Sequence, residues 1–469
     1  MAITTAINTG DTICAISTPP GCGGIAVIRI SGDNALQTAD AIFQSPRQKK
    51  IADAAPYTML YGNVVTTAGE IIDTVVAAVY RAPHSFTGED VVEITCHGSE
   101  YIQQKILELL ITAGCRMATP GEYTRRAYLN KKIDLAQAEG IADVIAARTA
   151  ASHRLAMTQM RGEFSSKLNE LRQKMIDFAS LIELELDFSE EEVEFADRTR
   201  LFDLANELQT RITRLVESFA TGNAIKNGIP VAIAGETNAG KSTLLNKLLG
   251  EEKAIVSDIH GTTRDTIEDT ITIDGILYRF IDTAGIRETK DQIEKLGIER
   301  TYKKIEQSAI VLWLSDINEE LSPEYAEIQK EKDGKNIIVL LTKCDLKPPA
   351  EIASSIEKTT RQTGNETKTI AISAQTGDGM EELYAALKTA ARHPEYENDI
   401  VVSNIRHYEA LVRARTAMQR VTDGLQTSLP GDLLAQDIRE AMHYIGEITG
   451  EITPADLLQT IFSRFCIGK

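Results

Sequence analysis

The sequence predicts a multidomain chain of the α/β plus all-α class, with one α/β unit inserted into a helical domain. Three observations predict it. From about residue 228 to 390, apolar strand-like runs alternate with amphipathic helical patterns, as in a largely parallel sheet with helical crossovers. On both sides of that segment, apolar residues recur at spacings of three and four, the period of helices that bury one face. The first 130 or so residues mix strand and helix patterns instead.

The elements follow in order. "GGIAVIRISG", "IIDTVVAAVYRAP" and "EDVVEITCHG" read as strands, and "EYIQQKILELLITAG" as a helix stopped by Gly114. Arg29 and Glu93 sit inside apolar strands, where a buried charge needs a partner. They are either functional charges or side chains pointing outward from edge strands. Between about 133 and 225, Phe164, Leu168, Leu171, Met175, Phe178 and Ile182 form one helical stripe. Leu201, Leu204, Leu208, Ile212, Leu215 and Phe219 form a second, and the acidic "DFSEEEVEF" between them reads as a solvated connector. The strands of the α/β unit are "IPVAIAGE", "TITIDG", "LYRFIDTAG", "AIVLWLSD", "NIIVLLTKCD" and "TIAISA". After about 403, Leu434, Ile438, Met442 and Ile445 mark another helix. The last helix starts with Thr453 as N-cap, Pro454 at the first position and Asp456 at the third. Its apolar face is Leu457, Leu458, Ile461, Phe462 and Phe465. The expected domains are therefore 1–131, 132–227, 228–392 and 393–469, the second and fourth being parts of one helical domain.

Composition narrows the class. A length of 469 residues suggests about three domains. A hydrophobic content of 43% with 25% charged residues is that of a soluble globular protein. No apolar run reaches the roughly 18 residues of a membrane span, and no secretory signal is expected from the first residues. The cysteines Cys14, Cys22, Cys96, Cys115, Cys344 and Cys466 are scattered, without a C-x-x-C pair. That pattern argues against a disulfide framework and fits a reducing, cytoplasmic setting. A net charge of −18 disfavours broad electrostatic binding of nucleic acid. The local basic run "RRAYLNKK", with Arg125, Arg126, Lys131 and Lys132, is either a contact patch or a solvated face.

"GETNAGKS", Gly235 to Ser242, follows the strand "VAIAG" and precedes the helix "TLLNKLLG". In that context G-x-x-x-x-G-K-[ST] is a phosphate loop. Backbone N–H groups of Asn238, Ala239 and Gly240 and the helix start at Thr243 surround a polyphosphate. Lys241 reaches the outer phosphates and Ser242 offers its hydroxyl to Mg²⁺. Downstream lie "DTAG" (Asp282, Thr283, Ala284, Gly285), "TKCD" (Thr342 and Lys343 to Asp345) and "SAQ" (Ser373, Ala374 and Gln375). Asp282 ends a strand, where it can hold magnesium through water. Asp345 can accept both the ring N–H and the exocyclic N–H₂ of guanine, a donor pair that adenine lacks. The order and spacing resemble the first, third, fourth and fifth motifs of the translation-factor-like GTPases, with Thr342 where that family usually has Asn. Many GTPases orient water with a glutamine after D-x-x-G; here the residue is the apolar Ile286. Arg264 and Arg287 read either as arginine fingers or, preferably, as structural residues, and on the structural reading the transition state needs other partners.

"GETNAGKSTLLN", "IVSDIHGTTRD", "DTAGIRETKDQIEKLGIER" and the terminal "FCIGK" resemble the MnmE (TrmE) family of tRNA-modification GTPases. "TPPGCGGIAVIRISG", "PHSFTGEDVVEITCHG" and "PGEYTRRAYLNKKIDLAQAEGIAD" resemble the same family's N-terminal domain. The resemblance implies a Ras-like P-loop G domain and an N-terminal domain like those that bind tetrahydrofolate. It implies potassium in the place of an arginine finger, held by Asn238 and by oxygens at Ser257, Ile259 and Thr262. The rest of that nucleotide-facing loop is Asp258, His260, Gly261 and Thr263. Magnesium falls to Ser242 and Thr263, and the water-orienting carboxylate to Glu294, which by itself reads as a plain solvated helix residue. A 5-formyl- or 5,10-methylene-tetrahydrofolate falls to Arg29, Glu93, Lys132 and Lys469. The implied partners are a second copy of the chain, forming a homodimer, the FAD-bearing flavoprotein MnmG (GidA), forming a heterotetramer, and tRNA. The implied reaction places an aminomethyl or carboxymethylaminomethyl group on C5 of the wobble uridine. Two alternatives compete: a ribosome-assembly GTPase of the Era or Der kind, and a folate-dependent transferase acting on a small molecule.

The terminal "CIGK" is not a prenylation box, because Gly468 and Lys469 break it. Cys466 is either a nucleophile with Lys469 beside it or a small apolar residue packing after Phe465. The flexible Gly468 is expected to let the tail reach the N-terminal domain.

Overall fold

The computed structural model describes residues 10–187, 198–236, 238–252, 269–281, 305–330, 335–364, 366–391, 401–427, 429–452, 455–463, 465 and 468. The chain forms two compact units. One comprises Met1–Ala142, Gln159–Asp177 and Met442–Lys469, and the other Asp143–Thr158 and Phe178–Ala441.

The first unit is built on β1 (Ile13–Ile16), β2 (Gly23–Ser31), α1 (Ala35–Ala41), β3 (Phe43–Gln44), β4 (Thr58–Val65), β5 (Ile71–Tyr80), β6 (Val91–Gly98), α2 (Glu100–Thr112), β7 (Arg116–Met117) and α3 (Glu122–Leu129). Its described strands form one sheet in the order β3-β4-β5-β6-β2-β1-β7. The strands alternate, as a half-buried sheet requires. Ala26, Ile28 and Ile30 of β2, Val92 and Ile94 of β6, and Val75, Ala77 and Val79 of β5 face one core. Leu36 and Ala39 of α1 and Ile106 and Leu110 of α2 cover that face. The three expected strands and the helix are present. β4 was not expected, because its outward Met59 and Tyr61, 74% and 64% exposed, hide the alternation. Both β2 and β6 are interior strands, which removes the edge-strand reading of Arg29 and Glu93.

Next come α4 (Leu135–Ala146), α5 (Ala150–Met160), α6 (Glu163–Asp187), α7 (Arg198–Glu217) and α8 (Phe219–Asn227). The stripe from Phe164 to Ile182 is buried along α6. The second stripe is corrected at two points and at its end: Ala205, not Leu204, and Val216, not Leu215, are buried in α7, and Phe219 begins α8. Ser218 causes the break. Its hydroxyl donates to the Leu215 carbonyl at 2.7 Å and accepts from the Val402 amide at 3.0 Å.

The second unit holds β8 (Ile229–Gly235), α9 (Lys241–Glu252), β9 (Asp269–Ile273), β10 (Ile276–Phe280), β11 (Ile310–Asp316), α10 (Pro323–Lys330), β12 (Asn336–Thr342), α11 (Pro349–Thr363), β13 (Lys368–Ala371) and α12 (Met380–Ala390). The sheet order is β13-β12-β11-β8-β10-β9, parallel except for the β9–β10 hairpin. All six expected strands are present. Leu244, Leu245 and Leu248 of α9 and Leu383 and Leu387 of α12 bury one face against Val231, Leu312 and Leu340. The opposite face carries Trp313, Tyr325 and Val339.

The chain closes with α13 (Ile405–Gln426), α14 (Gly431–Thr449) and α15 (Ala455–Ser463). Within the second unit α13 packs along α7, and the Phe219 and Tyr408 rings stack at 4.4 Å. Within the first, Leu458 and Phe462 of α15 are buried against Leu135 and Ala138. The expected cap residues Thr453 and Pro454 lie outside the described residues. Among the described residues, no helix is long and apolar enough to cross a membrane.

Candidate functional site

The phosphate loop leaves β8 at the middle of the second unit's sheet. Gly235 has a φ of +136°, and a Cβ there would lie 2.1 Å from the Leu314 carbonyl oxygen on β11. Only glycine permits that approach. Gly240 also has positive φ, +88°, and among the described residues a Cβ there would meet nothing within 4 Å. Asn238 adopts a φ of +64° and is exposed. Ala239 is buried under the loop, and Thr243 is exposed on the first turn of α9. The Lys241 ammonium donates to the Gly235 and Glu236 carbonyls at 2.7 and 2.6 Å. The loop thus folds around its own lysine, with Ser242 next along α9.

Parallel strands bring the other described motifs to the same sheet edge, where open α/β sheets bind ligands. Thr342, at the end of β12, is 5% exposed and donates its hydroxyl to the Ser315 carbonyl at 3.2 Å. Lys343 has a φ of +60° and pairs with Asp316 at 2.8 Å. Burial pushes the Asp316 carboxyl up, but Lys343 and Asn318 outweigh it and hold it below the ordinary range. Asp345 projects into solvent from the short turn Cys344–Leu346. Ser373 is buried, and its hydroxyl accepts from the Thr376 amide at 3.2 Å, shaping the loop that carries Ala374. The residues Ser257, Asp258, Ile259, His260, Gly261, Thr262, Thr263, Asp282, Thr283, Ala284, Gly285 and Glu294 lie outside the described residues.

In the first unit Arg29 and Glu93 stand opposite each other on β2 and β6 and pair at 2.7 Å. They are 20% and 24% exposed, on the sheet face away from the α1–α2 core. The Arg29 guanidinium carbon lies 5.6 Å from the ring centres of both Phe86 and Tyr123. The sequence offered Phe86 only inside "PHSFTGED", with no periodic signal to single it out. Lys132 is exposed and donates to the Pro83 carbonyl at 2.9 Å, in the loop that carries Phe86. Gly468 has a φ of +93°, and a Cβ there would lie 2.2 Å from the Ile16 carbonyl oxygen. Ser17 donates to the Gly468 carbonyl at 3.1 Å, and the Ser17 amide bonds Val27 on the strand of Arg29. The glycine is there for close backbone contact rather than for flexibility. Cys466 and Lys469 lie outside the described residues.

Behind this face the basic run is split. Arg126 is 2% exposed, so it belongs neither to a contact patch nor to a solvated face. It binds Asp11 at 2.6 Å and Glu89 and Glu122 at 3.1 Å. Arg116 binds Glu122 at 2.7 Å, and the Thr119 amide donates to Glu122 at 2.8 Å. Burial pushes the Glu122 carboxyl up, but Arg116, Thr119 and Arg126 outweigh it and bring it down to about 2.

Comparison with known proteins covers both units. Residues 12–132 match the family described as GTP-binding protein TrmE N-terminus, and residues 135–466 the MnmE helical domain family. The chain is 53% identical over 464 residues to the tRNA modification GTPase MnmE of Parabacteroides distasonis, covering 98% of this chain and 100% of that one. It is 54% identical over 467 residues to the protein of that name from Bacteroides thetaiotaomicron, covering 98% and 99%.

Proposed function

The chain belongs to the MnmE family of tRNA modification GTPases, and from that membership we propose a potassium-activated enzyme of wobble-uridine modification. Working as a homodimer in the cytoplasm with the flavoprotein MnmG, which carries FAD, it installs a carboxymethylaminomethyl or aminomethyl group at C5 of that uridine. The carbon comes from a 5-formyl- or 5,10-methylene-tetrahydrofolate.

In the second unit Lys241 exchanges its two loop carbonyls for the outer phosphates of GTP. Among the described residues nothing comes within 4 Å of a Cβ at Gly240, which leaves room for them. Asp345 reads the guanine edge from its exposed turn, and Lys343, anchored by Asp316, flanks it. Ser242 and Thr263 hold magnesium; Asn238, Ser257, Ile259 and Thr262 hold potassium. The donor chemistry fits, since hydroxyl, carbonyl and amide oxygens suit hard cations. These ions supply positive charge against the phosphates. Glu294 orients the attacking water.

In the first unit Glu93 binds the amide-like edge of the pterin. Arg29 and Lys132 meet folate carboxylates, and Lys469 completes the site. The observation that carries this reading is the seating of Gly468 on Ile16 and Ser17, one hydrogen bond from the strand of Arg29. It brings the family's characteristic ending to the sheet of the one-carbon site.

The test is GTP turnover by the full chain in KCl and in NaCl, unchanged and as Glu294→Ala. Turnover is expected to be faster in KCl, and Glu294→Ala to bind GTP while losing most hydrolysis. Equal rates in the two salts would remove potassium. Nucleoside analysis of tRNA from a strain lacking the chain should show the wobble modification lost; its retention would refute the RNA reaction.

A further inference from the structure

The Arg29–Glu93 pair is ringed by aromatic side chains. Tyr123 of α3 lies on one side of the guanidinium, fully buried, and donates its hydroxyl to the Arg29 carbonyl at 2.8 Å. Phe86 lies at the same 5.6 Å from the guanidinium but remains 38% exposed. Tyr80, at the end of β5, is raised in pKa by its burial first and then by the Glu93 carboxylate beside it. The Tyr57 ring stands edge-on to Tyr80 at 6.0 Å.

A cation over two ring faces is attracted by both. Tyr123 has its second face in the protein, whereas Phe86 keeps much of its surface toward solvent. The Phe86 loop is also fixed. Lys132 holds its Pro83 carbonyl at 2.9 Å, and the Asn130 amide holds the Thr87 carbonyl at 2.7 Å. Ser85 donates to the Glu89 carbonyl at 2.6 Å. An exposed phenyl ring on a pinned loop, beside a half-buried carboxylate, is a preorganised surface for a flat heterocycle.

We propose that Phe86 is a ligand-binding residue of the one-carbon site, stacking its open face on the pyrimidinone ring of the reduced folate. This rests on the folate reading above. The division of work follows from chemistry. Glu93 accepts from the N–H groups at the ring edge, in the ring plane. That interaction fixes direction but leaves the two apolar faces of the heterocycle in water. Phe86 covers one of them. Arg29 orients both partners at once, by its ion pair with Glu93 and its cation–π contact with Phe86. A ligand with the same hydrogen-bonding edge but no planar ring gains only the Glu93 contact, so Phe86 selects for the heterocycle.

The experiment is calorimetric titration of the full chain with 5-formyltetrahydrofolate, unchanged and as Phe86→Ala, Phe86→Leu, Phe86→Tyr and Glu93→Gln, with melting curves to confirm folding. Phe86→Ala and Phe86→Leu are expected to weaken binding by about tenfold or more, and Phe86→Tyr to stay within about twofold. Leucine restores bulk but not a π face, so full affinity in Phe86→Leu would reduce Phe86 to a cover over the ion pair and overturn the proposal. Full affinity in Phe86→Ala beside a lost site in Glu93→Gln would overturn it too, while leaving the folate site in place. No binding by the unchanged chain would overturn the folate reading itself.

Discussion

Replacing Glu122 by glutamine tests the buried charge network beside the strand of Arg29. Glu122 is 2% exposed and accepts from Arg116, Arg126 and Thr119. Glutamine keeps the volume and removes the charge. Arg126 then retains Asp11 and Glu89, and Arg116 retains Asp11. The carboxyl falls from an ordinary 4.5 to about 2 on folding, and each unit is worth about 1.4 kcal/mol. Ionised Glu122 therefore stabilises the first unit by on the order of 3 kcal/mol. The folded pKa is the lower one, so this stability is present above about 4.5 and is lost as pH falls toward about 2. Urea unfolding of the unchanged chain and of Glu122→Gln, at pH 7 and in steps down to pH 2, reads it. The gap between the two is expected to be about 3 kcal/mol at pH 7 and to close through the acid range. A gap independent of pH would show that glutamine disrupts packing, and that the carboxylate charge is not the source.

Asp345→Asn should exchange GTP for xanthosine triphosphate as the preferred substrate, read by competition binding, because the amide replaces one acceptor with a donor; unchanged GTP affinity would remove Asp345 from base reading. Gly468→Ala should leave GTP hydrolysis close to unchanged and sharply reduce wobble modification, measured by nucleoside analysis. Its methyl would meet the Ile16 carbonyl at 2.2 Å, and the φ of +93° disfavours any side chain by on the order of 1–3 kcal/mol.

The parts of the fold legible in the sequence were those with a strong period or a fixed motif. The five parallel strands of the second unit were legible because buried parallel strands read as continuous apolar runs, and the antiparallel edge strand β9 because Ile271 and Ile273 alternate with threonines. α6 was legible because its buried face repeats without interruption. β4 was hidden by Met59 and Tyr61, large residues on the open side of a sheet whose other face is packed. The break at Ser218 was hidden because the apolar spacing continues through it, while the cause is a bond from Val402, far along the chain. The Lys241 loop was legible from spacing alone. The aromatic walls around Arg29 come from a loop and a short helix, Phe86 and Tyr123, and neither has a repeat that could announce it. The basic run misled for a related reason: Arg126 is adjacent to Arg125 in sequence, but its partners Asp11 and Glu89 are distant.

The Arg29–Glu93 pair and the buried charge network near it share a structural logic. Arg126 and Glu122 are almost completely removed from water, and each has lost its hydration to several charged or hydrogen-bonding partners. Such clusters contribute little net stability against apolar packing but strongly resist the loss of one member. They therefore fix the position of what they touch. Ser31 accomplishes the connection: its hydroxyl donates to Glu89, the partner of Arg126, and it ends the strand that carries Arg29. Tyr123, one residue from Glu122 on α3, lies 5.6 Å from the guanidinium of the same arginine and donates its hydroxyl to the arginine's carbonyl. The Arg29–Glu93 pair is only about a fifth exposed, yet among the described residues it has fewer charged partners than the Arg126–Glu122 network. A site meant to bind a ligand must keep some hydrogen-bonding capacity unspent on its own residues. That is the difference between these two groups of charges, and it is why the pair, not the larger cluster, is the place where a ligand is expected.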